Sequence, residues 1–317
     1  MIRAAVFVVS AAACMAGFSA SSSAAPAATG RPAPSACRSH VAVRAARLGR
    51  ASDQRSYTRA QIRNIERRLH TRLETRSRER SSGRVGLTFR IPVRVHVIDG
   101  RRSRGPSRKR VLRQLNVLNK AYSGSQSRNN TATPFAFYLD SFDRVTNPRW
   151  ETSSTGSPAQ AAMRRALHVG GPEDLNLYFS RPADSQAKGV VLGWSSMAWD
   201  ATRYPRQDGV TIHQGSLPGG SLAHYNRGDT TVHEVGHWLG LLHTFEGGCS
   251  GSNDLVDDTP AEAAPSSTCD ISKNTCTAPG LDPVHNFMDY AVDSCMNMFT
   301  PGQVTRMTDN WLAYRTP

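Results

Sequence analysis

Apolar residues return every three or four positions in some stretches of this chain and alternate with polar ones in others. Ile62, Ile65, Leu69 and Leu73 keep helical spacing, with arginines on the opposite face, and predict an amphipathic helix over 57–75. Val111, Leu112, Leu115, Val117, Leu118 and Tyr122 predict a second helix over 107–122, and 158–168 is a shorter candidate. Residues 87–98, LTFRIPVRVHVI, alternate and are rich in β-branched side chains, as a strand requires. Pro92 lacks an amide donor and argues for an edge position or a bulge there. Further strands are predicted at 135–139, 175–179, 189–194 and 209–213. A last helix covers 301–314, with Thr300 as cap, Pro301 at its first position and Val304, Met307, Trp311 and Leu312 as its buried stripe. Strands and helices thus alternate through the first two thirds, which fits an α/β or α+β domain. Residues 244–285 carry no long periodic run, and a loop of that length must be disordered or stapled.

The chain's start has another character. Arg3, the apolar run 4–18 and the small residues Ser22, Ser23, Ala24 and Ala25 form a secretory signal over 1–25. Cys14 follows two alanines, but Ala11 stands where a lipoprotein box has leucine, so simple secretion is expected rather than anchoring. No other stretch is long and apolar enough to span a membrane. Residues 26–36 are rich in Ala, Pro and Ser, and Arg76, Arg78, Arg80 and Arg84 crowd a Ser/Gly stretch that resembles a processing site. The division expected is a signal peptide 1–25, a basic pro-segment 26–84 and a main domain 85–317, split into subdomains 85–240 and 241–317.

Charge sharpens that division. The net charge of +14 is a sum of unlike parts: Arg3 carries +1, 26–84 carries +11, 85–228 carries +11 and 229–317 carries −9. A basic chain raises the question of nucleic acid. Much of the excess lies in the pro-segment, and no aromatic–basic stripe accompanies it, so no nucleic-acid partner is expected. The basic helix at 57–75 is instead suited to docking on the acidic C-terminal portion.

The chemistry concentrates at 233–243, HEVGHWLGLLH. His233 and His237 are one helical turn apart and share a face, so both can grip one ion. Glu234 lies beside that face and can reach a metal-bound water as general base. Gly240 can take a positive φ, end the helix and let the chain bring His243 round as third ligand. Three protein ligands with a fourth position open describe a catalytic zinc. Downstream, Asp254, Asp257, Asp258 and Thr259 offer hard oxygen ligands for calcium, or form a solvated acidic turn. Cys249, Cys269, Cys276 and Cys295 suggest two disulfides, with three pairings open. Cys37 stands alone ahead of the domain. Its thiolate can fill the open zinc position and hold the enzyme latent, or it is a bystander.

The motif with Met288 downstream resembles the metzincin zinc peptidases. The segments GDTTVHEVGHWLGLLHTFEGGC, DLVDDTPAE and NFMDYAVDSCMNMFTPGQVTRM narrow the resemblance to the pappalysin family, most closely its small, secreted, ulilysin-like members. IPVRVHVI, QLNVLNKAY and DLNLYFSRP extend it over roughly 85–317. The resemblance implies a twisted mixed sheet with backing helices, and a zinc helix and Met-turn in an irregular C-terminal subdomain. It implies His233, His237 and His243 as zinc ligands, Glu234 as general base, Met288 beneath the metal, and Tyr290 near the zinc to bind the tetrahedral intermediate. It further implies the pairing Cys249–Cys276 and Cys269–Cys295, calcium in the Asp-rich loop, and basic residues at the cleavage site, with Asp293 as a candidate for specificity. The function expected is a secreted, zinc-dependent endopeptidase made as a zymogen with its own pro-segment as inhibitor. Substrate would lie extended along an exposed sheet edge, for which 190–194 is the candidate.

Overall fold

The computed structural model describes residues 41–46, 57–79, 88–183, 190–250 and 254–316. The signal segment with Cys14, the stretch 26–36, Cys37, Arg80, Arg84 and the expected start of the catalytic domain at 85 lie outside the described residues. In chain order the elements are β1 (Val41–Ala46), α1 (Arg59–Glu79), β2 (Phe89–Asp99), α2 (Arg108–Tyr122), β3 (Phe135–Thr146) and α3 (Pro148–Glu151). They continue with α4 (Pro158–Leu167), β4 (Leu175–Ser180), β5 (Val190–Ser196), β6 (Val210–His213), α5 (Asp229–Trp238) and α6 (Pro301–Tyr314).

The strands form one mixed sheet in the order β1-β5-β6-β4-β2-β3. β2 is parallel to β3 and β4, and β4 is parallel to β6. Parallel neighbours need crossover connections: α2 lies between β2 and β3, α3 and α4 precede β4, and the chain between β4 and β6 contains β5. β5 runs antiparallel to β6 on one side and to β1 on the other. The fold is therefore mixed α/β.

β2 sits inside the sheet, which corrects the edge position offered for Pro92, while the bulge offered as its alternative has a counterpart one residue further on. Phe89 to Pro92 pair with β3 alone, and β4 joins only from Val93. Pro92 thus lies where β2 has one neighbour, and the β2–β3 register slips between Val93 and Arg94. The missing amide is accommodated locally rather than by moving the whole strand. Ile91, Val93, Val95 and Val97 are fully buried. They join residues of α2, β4, β6, α5 and α6 in the main core, which places the zinc-motif helix against the sheet.

β3 extends beyond its apolar run, because an outermost strand can leave one face polar. Arg94 and Asp140, His96 and Asp143, and Arg144 and Asp99 pair across β2 and β3 there. Residues after α5 form few regular hydrogen bonds until α6. Two disulfides, Cys249–Cys276 and Cys269–Cys295, staple that stretch in the pairing the resemblance implies. α6 starts with a full capping box, in which Thr300 and Gln303 bond each other's backbone amides.

Candidate active site

Every residue of α5 is buried, so its ends must be satisfied by protein. Its N-cap is Gly228, at φ 104°, and no side chain of the local sequence caps it. The carboxylate of Asp293 does so from a distant loop: Oδ2 accepts from the amides of Arg227 (2.8 Å) and Gly228 (3.2 Å). Negative charge at a helix N-terminus is favourable. At the other end Gly240 has φ 97°, its amide donates to His237 O (2.9 Å) and that of Leu241 donates to Gly236 O (3.0 Å). This is the Schellman arrangement, and it turns the chain so that His243 returns beside the helix. A Cβ at Gly240 would strike Asn310 of α6.

The structure brings His233, His237 and His243 together. Nε2 of His237 lies 3.1 Å from that of His233 and 3.0 Å from that of His243. These are convergent lone pairs rather than hydrogen bonds. Nδ1 of His233 faces Phe287 O at 2.6 Å and Nδ1 of His237 faces Leu241 O at 2.7 Å. A carbonyl only accepts, so each Nδ1 carries the hydrogen and each Nε2 is left as a bare donor atom. Packing such atoms together is unfavourable without a cation between them. Their spacing is close to the ligand–ligand edge of a tetrahedral zinc with Zn–N of about 2.0–2.1 Å. The residues fit zinc.

Glu234 is fully buried beside this cluster. Strand β5 packs against α5, and its Gly193 lies beside Glu234. A Cβ at Gly193 would lie 2.9 Å from Glu234 Cγ, 3.0 Å from Oε1 and 3.0 Å from Thr211 O. An isolated glycine in a strand is the signal that could have found this contact from sequence. Gly193→Ala is expected to displace Glu234, because Thr211 is backbone and cannot yield. The loss in kcat would be up to about 10²-fold, as for other ångström-scale misplacements. Steady-state kinetics at full zinc content would check this, and a wild-type kcat would show that the strand gives way freely.

The expected edge at 190–194 lies in β5, and its outer side is taken by β1. Val41 pairs with Ser196, Arg44 with Gly193 and Ala46 with Val190. β1 also contacts α5.

Met288 lies under the helix, where a Cβ on Gly236 would come within 2.5 Å of its Sδ. Tyr290 Oη stands 3.1 Å from His243 Nε2. Asp289 between them is buried, and its Oδ1 accepts from the amides of Ser266 (2.9 Å) and Tyr290 (2.7 Å). Nearby Glu262 is fully buried and accepts from Thr244, Ser266 and Lys273. Burial, then the Asp289 charge, pushes the Glu262 carboxyl up to about 7, and burial raises Asp289 as well. Lys273 is the cation of this cluster and also bridges to Asp282 at 3.2 Å. The turn that holds Met288 and Tyr290 is thus pinned to the irregular loop by buried charge.

The remaining predicted residues are placed differently. Asp293 lines a cavity of about 320 Å³ with Lys120, Arg227 and Asp229, next to the start of α5. Of the calcium candidates, Asp258 spends its carboxylate on Thr300 Oγ1 (2.6 Å) and the Gly302 amide (2.8 Å), at the start of α6. Asp257 is exposed. Asp254 is buried and accepts from the Val256 amide, and burial pushes its carboxyl up to about 8. Thr259 is buried. Among the described residues the only three-ligand groups are the His233/His237/His243 triad and Cys269/His285/Cys295, whose cysteines form a disulfide. The acidic loop therefore does not assemble as a carboxylate cage, because one of its acids caps a helix instead.

A mixed sheet backed by helices, with three converging imidazoles and a buried glutamate on one of them, defines a metallopeptidase of the metzincin type. Residues 195–312 match the family described as Peptidase_M43, pregnancy-associated plasma protein-A. An extracellular metalloprotease of Pyricularia oryzae is 45% identical over 207 residues, covering 65% of this chain and 68% of its own. Extracellular metalloprotease 1 of Coccidioides posadasii is 43% identical over 202 residues, covering 64% and 68%. Mature mirolysin of Tannerella forsythia, solved with a cleaved peptide, superposes with a TM-score of 0.60 at 25% identity, over 73% of this chain and 99% of that one. A promirolysin mutant gives a TM-score of 0.65 at 25% identity, over 81% and 92%. The chain belongs to the M43, or pappalysin, family of metallopeptidases.

Proposed function

We propose that this chain is a secreted zinc endopeptidase made as a latent zymogen. Residues 1–25 direct export, 26–84 form the pro-segment and 85–317 carry the catalytic domain. The observation that carries this reading is the meeting of three imidazole Nε2 atoms, two with their Nδ1 hydrogens already committed to carbonyls. The relatives' description as extracellular metalloproteases supports export, and the likeness to promirolysin supports a zymogen.

Zinc held by His233, His237 and His243 would supply Lewis acidity, lowering the pKa of water to about 7 and polarising a carbonyl. Glu234 takes the proton of the attacking water and returns it to the leaving amine. Tyr290 Oη, beside His243, donates to the carbonyl oxygen as it becomes negative. The backbone of β5 holds an extended substrate along the edge that β1 fills in the full-length chain. Latency is then competition for one strand edge. Cys37, four residues ahead of β1, is the candidate to occupy the fourth metal position. The net −9 of residues 229–317 and the buried Asp293 favour substrates with basic residues at the cleavage site.

A peptide-library digest by the processed protein, read by mass spectrometry, tests the reading. Cleavage is expected to vanish with a chelator and return with zinc. Cleavage that survives chelation, or none in the zinc-loaded protein, would overturn it.

A further inference from the structure

The N-terminal segment is attached at two separate places. β1 pairs with β5 through its backbone along six residues. α1 lies elsewhere, against α6 and the loops beside the end of α5. Ile62 packs with Met197 and Leu242, and Leu69 with Ala198, Ala313 and Tyr314. The Tyr57 ring meets Trp199 edge-on at 6.1 Å, and its amide donates to Glu246 Oε1 at 2.6 Å.

Charge fits as well as shape. Glu66 pairs with Arg306 at 3.0 Å, and Arg306 Nε donates to the Gly240 carbonyl at 3.1 Å. Arg72 lies over the Tyr314 ring at 5.0 Å and reaches Ala313 O at 3.4 Å. Arg76 bonds the Thr316 hydroxyl and its carbonyl, the latter at 3.0 Å. Two arginines of α1 thus cover carbonyls at the C-terminal end of α6, where backbone acceptors lack partners and a cation is favoured.

We propose that the face formed by Met197, Trp199, Leu242, Arg306 and the turn 313–316 is a docking site for the segment 57–76, holding it independently of the cleft. This rests on reading 26–84 as a pro-segment. A six-residue strand added to a sheet edge binds weakly by itself. Tethered to a docked helix it acts at an effective concentration in the millimolar range. α1 is the anchor and β1 the plug. Cutting the chain after α1 leaves both in place, whereas cutting between β1 and α1 frees the plug while the anchor stays.

The test uses the full chain with a foreign protease recognition sequence at 81–84 or at 50–53, in a Glu234→Gln background so that retention is read apart from catalysis. After the first cut, the N-terminal fragment is expected to co-elute with the catalytic domain on size exclusion. After the second, the piece bearing β1 is lost and α1 is kept. Leu69→Asp should release the fragment. Glu66→Arg should weaken its retention, and Glu66→Arg with Arg306→Glu should restore it. A fragment that separates as soon as the chain is cut at 81–84, or that ignores the charge reversal, overturns the docking site. The same cut at 81–84 in the wild-type background separates the two readings. Full activity with the fragment still bound would keep the docking site and remove the pro-segment's role as inhibitor.

Discussion

Glu234→Gln is expected to lower kcat of the processed enzyme by about 10²–10⁴-fold while leaving zinc content unchanged. The substitution keeps shape and removes only the basic lone pair. Its neighbours His233 and His237 keep their Nδ1 bonds to Phe287 O and Leu241 O, so the ligand set stays oriented. KM is expected to change little, since the proposed mechanism has β5 rather than the glutamate hold the substrate. Kinetics and metal analysis on one preparation check this. A variant that cleaves at the wild-type rate with one zinc bound would remove Glu234 from the mechanism.

Arg315→Ala is expected to be the most destabilising single change outside the zinc site. Arg315 follows α6 and is fully buried. Its guanidinium grips Asp208 with two bonds of 2.8 and 3.1 Å, donates to Trp238 O at 2.7 Å and Pro172 O at 3.0 Å, and lies 3.6 Å over the Trp238 ring. Asp208 also accepts from Ser196 Oγ of β5 (2.6 Å) and Trp238 Nε1 of α5 (3.1 Å). One ion pair thus ties the residue after α6 to the end of α5 and to β5. Removing one partner of a buried pair costs about 3–5 kcal/mol. At roughly 2–4 °C per kcal/mol, the melting temperature should fall by about 6–20 °C.

The pH dependence has a definite sign. Burial alone would raise the Asp208 carboxyl, but Arg315 and the Ser196 and Trp238 bonds hold it below its ordinary value. Its stabilisation is present above the unfolded pKa of about 3.9 and is lost as pH falls through the folded value. With Arg315 gone, burial dominates and this acid loses its stabilising share at neutral pH. Melts of both proteins from acid to neutral pH check the point. A shift within the range of an ordinary surface substitution would show that the pair is replaceable.

How much of this was legible in the residues alone follows from the range of each interaction. The spacing of His233, His237 and His243 is set by helix periodicity and one glycine, so the ligand triad could be read directly. The capping of α6 by Thr300 and Pro301 is equally local. Asp293 stands in the sequence as a candidate for specificity, and only the structure adds that its Oδ2 accepts from the amides that open the zinc helix. Asp258, grouped with a calcium site, caps α6 instead. Nothing in the acidic loop's sequence distinguishes a carboxylate aimed at a cation from one aimed at a helix.

By itself, then, the sequence determined the zinc motif, most of the helices and strands, and the basic helix ahead of the domain. Each is encoded by neighbours within a few positions. Only the tertiary structure decided that β2 is an inner strand whose Pro92 has β3 as its one neighbour, that Gly193 presses on Glu234, that β1 fills the edge of β5, and that Arg315 closes on Asp208. Those contacts join residues far apart along the chain. No local period records them, because they arise when a buried charge or an unpaired strand edge must find its partner in the packed molecule.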